Sequence, residues 1–352
     1  MQSIQSKRVA VVILNWNGKS FLEKFLPGVV RHSNGMADVV VADNASSDSS
    51  IEFLEQNFPE VRLIRIPENK GFTGGYNFAL KQIEADYFVL LNSDVEVTEG
   101  WIEPIIQLMD SDARIAACQP KIRSYDRKDE FEYAGASGGF IDKYGYPFCR
   151  GRIFQYLEKD LGQYNSNLQV FWVTGAAMFI RSSVFHELNG LDDNFFAHME
   201  EIDLCWRIQK AGYKVYVCPA SVIYHIGGGT LPKNNPRKTY FNFRNNLLMI
   251  YKNSTKEGLR RLLLMRTFLD VVAAFRFLVG TGTGDFTAVF RAHRDFHRIR
   301  KLYHGVPQAK NLVPNSEITT IYRKSIIWSY YIRGKKIFSD LDFRQLNEKT
   351  SP

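Results

Sequence analysis

Four groups of side chains in this sequence could do chemistry: Asp43, Asp94, the cluster Glu200, Glu201 and Asp203, and His225. Asp94 closes the apolar run YFVLLNSD, Asp43 closes DVVVAD, and His225 closes YKVYVCPASVIYH. A carboxylate and an imidazole would give a divalent cation part of a coordination shell, with substrate phosphates and water completing it. Asp94 serves equally well as an Asx turn that ends its strand, and His225 as a structural histidine. Asp43 suits a base N–H or a ribose hydroxyl, or else caps the next turn. Three carboxylates within four positions raise one another's pKa, which suits a general base near neutral pH. The same acids would also complement a helix dipole. After His225, Gly227, Gly228 and Gly229 imply backbone close to a ligand or a mobile loop.

These residues need elements to position them. KRVAVVILNW, DVVVA, VRLIRI and the run ending at Asp94 read as strands, separated by three stretches of helical spacing. The order βαβαβαβ predicts an α/β, doubly wound parallel sheet. Its carboxyl edge, where such sheets bind ligands, would carry Asn15, Asp43, the loop 69–75 and Asp94. Gly71, Gly74 and Gly75 let backbone come close to a bulky group and would present N–H groups at a helix start. The pattern is neither G-x-G-x-x-G nor G-x-x-x-x-G-K-[ST], which disfavours a dinucleotide dehydrogenase or a P-loop NTPase. Residues 123–167 read as small strands and loops over the cleft, and FWVTGAAMFIRSSVF as a buried strand around Thr174, Gly175 and Ala176. In PRKTYFNFRNN, residues Arg237, Lys238 and Arg244 either pair with a diphosphate or form a solvated helix face.

The chain of 352 residues, 45% hydrophobic, can bury a sizeable core. Four scattered cysteines suggest neither a zinc site nor a disulfide framework, and a reducing cytosol is the natural compartment. The N-terminus lacks a small-residue cleavage site and reads as a first strand. No apolar stretch reaches the roughly 20 residues of a spanning helix. The net charge of +8 divides into −3 up to residue 251 and +11 from Lys252 onward. Within that tail, residues 258–301 alternate apolar blocks with arginines, a pattern for a helix lying on an anionic membrane, packing on the core or forming a homodimer. No nucleic-acid-binding motif accompanies the basic residues.

In order, VVILNWNG, VADNASSDSS, ENKGFTGGYN, LLNSDVEV, WVTGAAMFIRSSVF, FFAHMEEIDLCWRIQKAGY and YHIGGGT resemble an inverting family 2 glycosyltransferase of the GT-A fold, in the rhamnosyltransferase-like branch. The resemblance covers about residues 8–246. It implies a GT-A catalytic domain over 1–250, with a nucleotide-binding half at about 1–120 and an acceptor half at about 121–250, followed by a basic, mainly helical region at 251–352. It implies a mostly parallel sheet flanked by helices. Asp43 would bind the nucleotide base, and the nucleotide-sugar would lie against Asn15, Asn44, Asn69, Lys70, Gly71, Gly74, Asn77, Asn92, Ser93, Gly175 and Arg244. Asp94 and His225 would hold Mg²⁺ or Mn²⁺, and the catalytic base would fall in the acidic pair. Here that pair is Glu200-Glu201, which carries the base to Glu201, with Asp203 as an orienting or acceptor-binding residue and Glu200 as the rival. On a helix, Glu200 and Asp203 share a face from which Glu201 points away, an objection that lapses if the helix starts at Glu201.

The implied activity is sugar transfer from a nucleotide-diphospho-sugar, dTDP-rhamnose or else a UDP- or GDP-sugar, to a glycan or lipid-linked acceptor in cell-surface polysaccharide synthesis. The place implied is the cytoplasm or the inner membrane face. Two alternatives are a sugar-1-phosphate nucleotidyltransferase, for which WNGKSF is a poor signature, and a non-catalytic sugar- or nucleotide-binding protein.

Overall fold

The computed structural model describes residues 8–227, 235–304 and 313–343. Gly228 and Gly229, and residues 1–7 at the N-terminus, lie outside the described residues. Strands and helices alternate as β1 (Val9–Asn15), α1 (Lys19–Ser33), β2 (Asp38–Asp43), α2 (Ser50–Asn57), β3 (Arg62–Arg65), α3 (Gly71–Leu80) and β4 (Tyr87–Asn92). There follow β5 (Val95–Val97), α4 (Glu103–Ser111) and β6 (Ile115–Ser124), then the short β7 (Gly139–Asp142), β8 (Pro147–Cys149), β9 (Arg152–Ile153), β10 (Tyr156–Leu157) and β11 (Leu168–Gln169). The remainder comprises β12 (Ala177–Arg181), α5 (Ser182–Glu187), α6 (Glu200–Lys210), β13 (Lys214–His225), α7 (Pro236–Asn253), α8 (Lys256–Gly280), α9 (Thr283–Ile299) and β14 (Ile321–Tyr322).

The main sheet runs β11-β13-β6-β12-β4-β1-β2-β3, with β5 paired to β13. β3, β2, β1 and β4 are parallel, as the βαβαβαβ pattern predicts. β12 enters antiparallel between β4 and β6, and β6 pairs parallel with β13. Alternation along the central strands sorts their side chains to two faces: Ala10, Val12 and Leu90 join one buried cluster, Val11, Ile13 and Leu91 the other. Burial on both faces explains why these strands read as unbroken apolar runs.

Two readings change. The stretch 171–185 is not one strand: only Ala177–Arg181 pairs in the sheet, and Ser182–Glu187 turns into α5. Within 123–167, β7 to β10 form a second sheet ordered β10-β9-β8-β7-β14, whose last strand comes from the far tail and pairs parallel with β7. Ile321, Tyr322, Ile326, Phe338 and Leu341 enter the same buried cluster as the main sheet. There the Phe338 ring lies 5.2 Å from that of Phe140. α7 packs against α6 and α9, and α8 against α9, giving a helical C-terminal layer. No described helix is long and apolar enough to cross a membrane.

Candidate active site

At the β1 and β2 ends, Asp43 is buried and accepts hydrogen bonds from Asn15 Nδ2 at 2.9 Å, Ser46 N at 2.9 Å and Ser46 Oγ at 2.6 Å. It therefore closes the turn after β2 and keeps only part of its acceptor capacity. Asn15 is wholly buried, and its Oδ1 has no hydrogen-bond partner. Asn44 knots the next loop: its Nδ2 donates to Asn69 Oδ1 and to the Gly71 carbonyl, and its Oδ1 accepts from Lys70 N.

The glycines that follow act differently from the expectation. The α3 N-terminus presents no free anion cradle, because Gly71 N–H donates to Asn69 Oδ1, and Phe72 and Thr73 N–H donate to the carbonyl of Phe196. A Cβ on Gly71 would fall 2.5 Å from the Phe196 ring, on Gly74 2.8 Å from Lys70 Cβ, and on Gly75 2.7 Å from Leu14. Gly175 has the same explanation, since a Cβ there would meet Phe72 at 2.9 Å. These small residues admit protein neighbours. Asn77 is also used internally: it bonds both the N–H and carbonyl of Leu191, and Asp193, tying α3 to the 191–193 turn.

β5, which follows β4 directly, pairs with β13 and sets Val95 opposite His225, so Asp94 and His225 meet although 131 residues apart. His225 Nε2 lies 3.1 Å from Asp94 Oδ1 and 3.5 Å from Asn92 Nδ2, with Ser93 partly buried between Asn92 and Asp94. Behind the ring, Glu132 Oε2 is 3.6 Å from His225 Nδ1. Burial works against protonation of this imidazole, yet Glu132 and Asp94 prevail and lift its pKa to about 10. Among the described residues, no three His, Cys, Asp or Glu side chains are grouped to hold a metal. With the Nε2 proton displaced, Asp94 and His225 would supply one oxygen and one nitrogen, a donor set that fits a hard divalent ion also bound by phosphate oxygens and water. Glu132 would then hold the imidazole from behind, as carboxylates do for metal-bound histidines. Sequence reading missed Glu132, which stands in an irregular stretch 93 positions from its partner.

The acidic cluster opens α6. The helix begins at Glu200, after three left-handed non-glycine residues: Phe196 (φ 64°), His198 (φ 70°) and Met199 (φ 72°). Such backbone is costly and must be held. Asn245 holds it, with Nδ2 donating to the carbonyls of Phe195, Ala197 and His198 at 2.9, 2.8 and 2.7 Å. Arg244 assists by donating to the Asn194 and Phe195 carbonyls. Its guanidinium is thus a brace for the loop. Neither Asn245 nor the strained loop was legible in sequence, and only the polar density of FNFRNN hinted at them. Arg237 lies over the stacked Phe196 and Phe241 rings.

Of the three carboxylates, Asp203 is turned inward. It accepts from Arg207 Nε and Lys252 Nζ, both at 2.9 Å, and from Asn253 Nδ2 at 2.8 Å, and has no exposed surface. This corrects the acceptor-binding alternative, because nothing outside the fold reaches it; the orienting alternative fits, since it ties α6 to α7. Glu200 is buried, and its Oε2 lacks a partner. Burial, reinforced by Glu201, drives its pKa well up. Glu201 is partly exposed, also has an unpartnered Oε2, and is raised by burial to about 7.

The two chemical regions adjoin through backbone. Asn92 N–H bonds the Ala176 carbonyl, Gly175 abuts Phe72, and Phe72 N–H bonds the carbonyl of Phe196, four residues before Glu200. This run of contacts links the segment bearing Asn92 and Asp94 to the loop that leads into Glu200 and Glu201. The model of the family described as "Glycosyl transferase family 2" matches residues 10–188, half of the chain. The chain belongs to glycosyl transferase family 2.

As a family 2 glycosyltransferase, it resembles the N-acetylglucosaminyl-diphospho-decaprenol L-rhamnosyltransferase of Mycobacterium tuberculosis, at 27% identity over 62% of this chain and 76% of that one. Its fold is that of GT-A glycosyltransferases. A structure of the mannosyltransferase PcManGT from Pyrobaculum calidifontis, with GDP-Man and Mn²⁺, aligns at 12% identity and TM-score 0.50 over 86% of this chain and 81% of that one. One of GalNAc-T7 with UDP, GalNAc and Mn²⁺ aligns at 15% identity and TM-score 0.51, covering 79% of this chain but only 59% of that one. The family match ends before Glu200 and His225, and His225 reaches the matched segment through its contact with Asp94.

Proposed function

We propose that this family 2 glycosyltransferase moves a sugar, L-rhamnose from dTDP-rhamnose, onto a hydroxyl of a lipid-linked glycan with inversion, at the cytoplasmic membrane face. The observation that carries the reading is Glu201: alone among the three acidic-cluster carboxylates it combines partial exposure, an unpartnered oxygen and a pKa near 7. Glu201 takes the proton of the acceptor hydroxyl as its oxygen bonds the anomeric carbon, and the bond from that carbon to the diphosphate oxygen breaks with its electron pair. One displacement inverts the centre, so no enzyme nucleophile is required. Asp94 and His225 would hold a divalent ion, which supplies charge neutralisation for the leaving diphosphate. Asp43, with Asn15 and Ser46 around it, is the proposed contact for the nucleotide base. Asp203 is a positioning residue that acts through the α6–α7 junction.

The name of the mycobacterial relative supports both the sugar and a polyprenyl diphosphate-linked acceptor. Four buried, unpaired cysteines suit a reducing compartment. The test is a panel of dTDP-, UDP- and GDP-sugars with Mn²⁺ and Mg²⁺, read first by thermal shift and then by product formation and anomeric NMR. A ligand bound by the native state raises the melting temperature. Transfer from dTDP-rhamnose with an inverted linkage is expected; a retained linkage, or preference for another donor, would overturn the corresponding part.

A further inference from the structure

α8 is amphipathic the wrong way round for a helix that merely covers a core. Its inner face carries Arg266 and Asp270, both essentially unexposed. Arg266 donates to Asp270 and the Tyr144 carbonyl and sits 3.7 Å over the Tyr146 ring, while Asp270 accepts from Tyr146 and faces His293. Its outer face is apolar: Leu264 is 63% exposed, Phe268 64%, Val272 54%, Phe275 56% and Val279 91%. Spacings of four, four, three and four place these five on one stripe. Phe275 continues it through Phe286 to the exposed Phe290 on α9. A contiguous apolar surface of this kind marks an interaction site.

We infer that this face docks on a bilayer bearing anionic lipid head groups. Charge chooses between the available occupants. From Lys252 to His304 the chain has eleven Lys and Arg against four Asp and Glu. Arg266, Asp270 and Asp285 are buried, which leaves ten cations against two acids. Arg260, Arg261, Arg276, Arg291 and Arg294 are exposed around the stripe. A symmetric dimer through this patch would oppose the same excess positive charge across the interface. Anionic head groups attract it, and the stripe enters the acyl boundary, as interfacial helices do. The inference goes beyond the proposed transfer reaction, but the two meet at one place. Phe277, near the end of α8, contacts Phe243 of α7, and Asp285 of α9 bonds Thr239 two residues from Arg237, which covers Phe196 in the loop leading to the acidic pair. The membrane face therefore adjoins the end of the cleft where a lipid-linked acceptor would arrive.

The test is co-sedimentation of the full chain with vesicles of phosphatidylcholine alone or with 30% phosphatidylglycerol, which needs neither donor nor acceptor and so stands apart from the transfer reading. Binding to the anionic vesicles at least tenfold tighter than to neutral ones is expected. It should weaken with salt and be lost in the double variant Phe268→Asp, Phe275→Asp, with circular dichroism and melting temperature unchanged. Equal binding to both vesicles, none to either, or retention by the double variant would overturn the proposal. So would a light-scattering mass of two chains that the same variant halves, which would assign the face to a second copy.

Discussion

Gly71 and Phe196 fix one another. Gly71 stands at φ +69° with no room for a Cβ, because the Phe196 ring and carbonyl lie 2.5 and 2.7 Å from where one would be. That carbonyl closes the first turn of α3 by accepting from Phe72 and Thr73. The glycine-rich loop and the approach to the acidic pair are one packed unit.

Gly71→Ala should therefore lower stability by about 3 kcal/mol, combining left-handed strain with overpacking. Urea unfolding measures it. A loss under about 0.5 kcal/mol would show that the contact is dispensable.

Asn245→Ala removes two N–H donors shared among three carbonyls of strained backbone and should cost roughly 2–4 kcal/mol, given about 1 kcal/mol per bond and a penalty for stranded carbonyls. Turnover should fall while donor binding by thermal shift persists, because the loop it holds leads to Glu200 and Glu201 and not to Asp43. Equal loss of both would point to general unfolding.

For Asp94→Asn, transfer should drop on the order of a hundredfold or more, at the upper end of the effects seen on altering metal-site residues. Chelator should silence the parent protein, and Mn²⁺ should restore it. Activity within tenfold of the parent would remove Asp94 from the metal role.

A base must be deprotonated to accept. With the Glu201 pKa at about 7, the rate at saturating substrate should climb through pH 6 to 8 and level above. In Glu201→Gln that limb should vanish along with most turnover. If Glu200→Gln erases the limb and Glu201→Gln does not, the base is Glu200.

Glu200 gives a stability signature of opposite sense to a paired acid. Its folded pKa lies above its unfolded value, so the native state binds the extra proton and stability falls as pH rises between the two. Glu200→Gln should raise the melting temperature at pH 8, by roughly 1–2 °C for each kcal/mol recovered, and change it little at pH 4. Calorimetry at the two pH values decides it.

The half of the fold built from local repeats was legible. β1, β2 and β4 announce themselves as unbroken apolar runs because both faces are buried, and each stops on the polar residue that marks the sheet edge. What the sequence hid is what distant segments supply. β14 is two residues long and has meaning only beside β7. Glu132 acquires its neighbour from β13 and Asn245 its carbonyls from the loop before α6, and neither spacing repeats along the chain. Residue type also leaves internal duties unseen: Asn77, Arg244 and Asp203 brace neighbouring segments and Gly71 and Gly175 admit aromatic rings, which only hydrogen-bond geometry and packing reveal.

The parallel pairing of β14 with β7 also orders events in time. Phe140 and Phe148 are translated well before Tyr322 and Phe338, the rings that bury them. While the ribosome makes the intervening residues, the small sheet lacks its fifth strand and leaves an aromatic surface open. Domains fold roughly in order of synthesis, and long-range strand pairing is slow. The nascent chain therefore carries an aggregation-prone surface through most of its synthesis, and slowing translation upstream of residue 313 should increase its demand for chaperones.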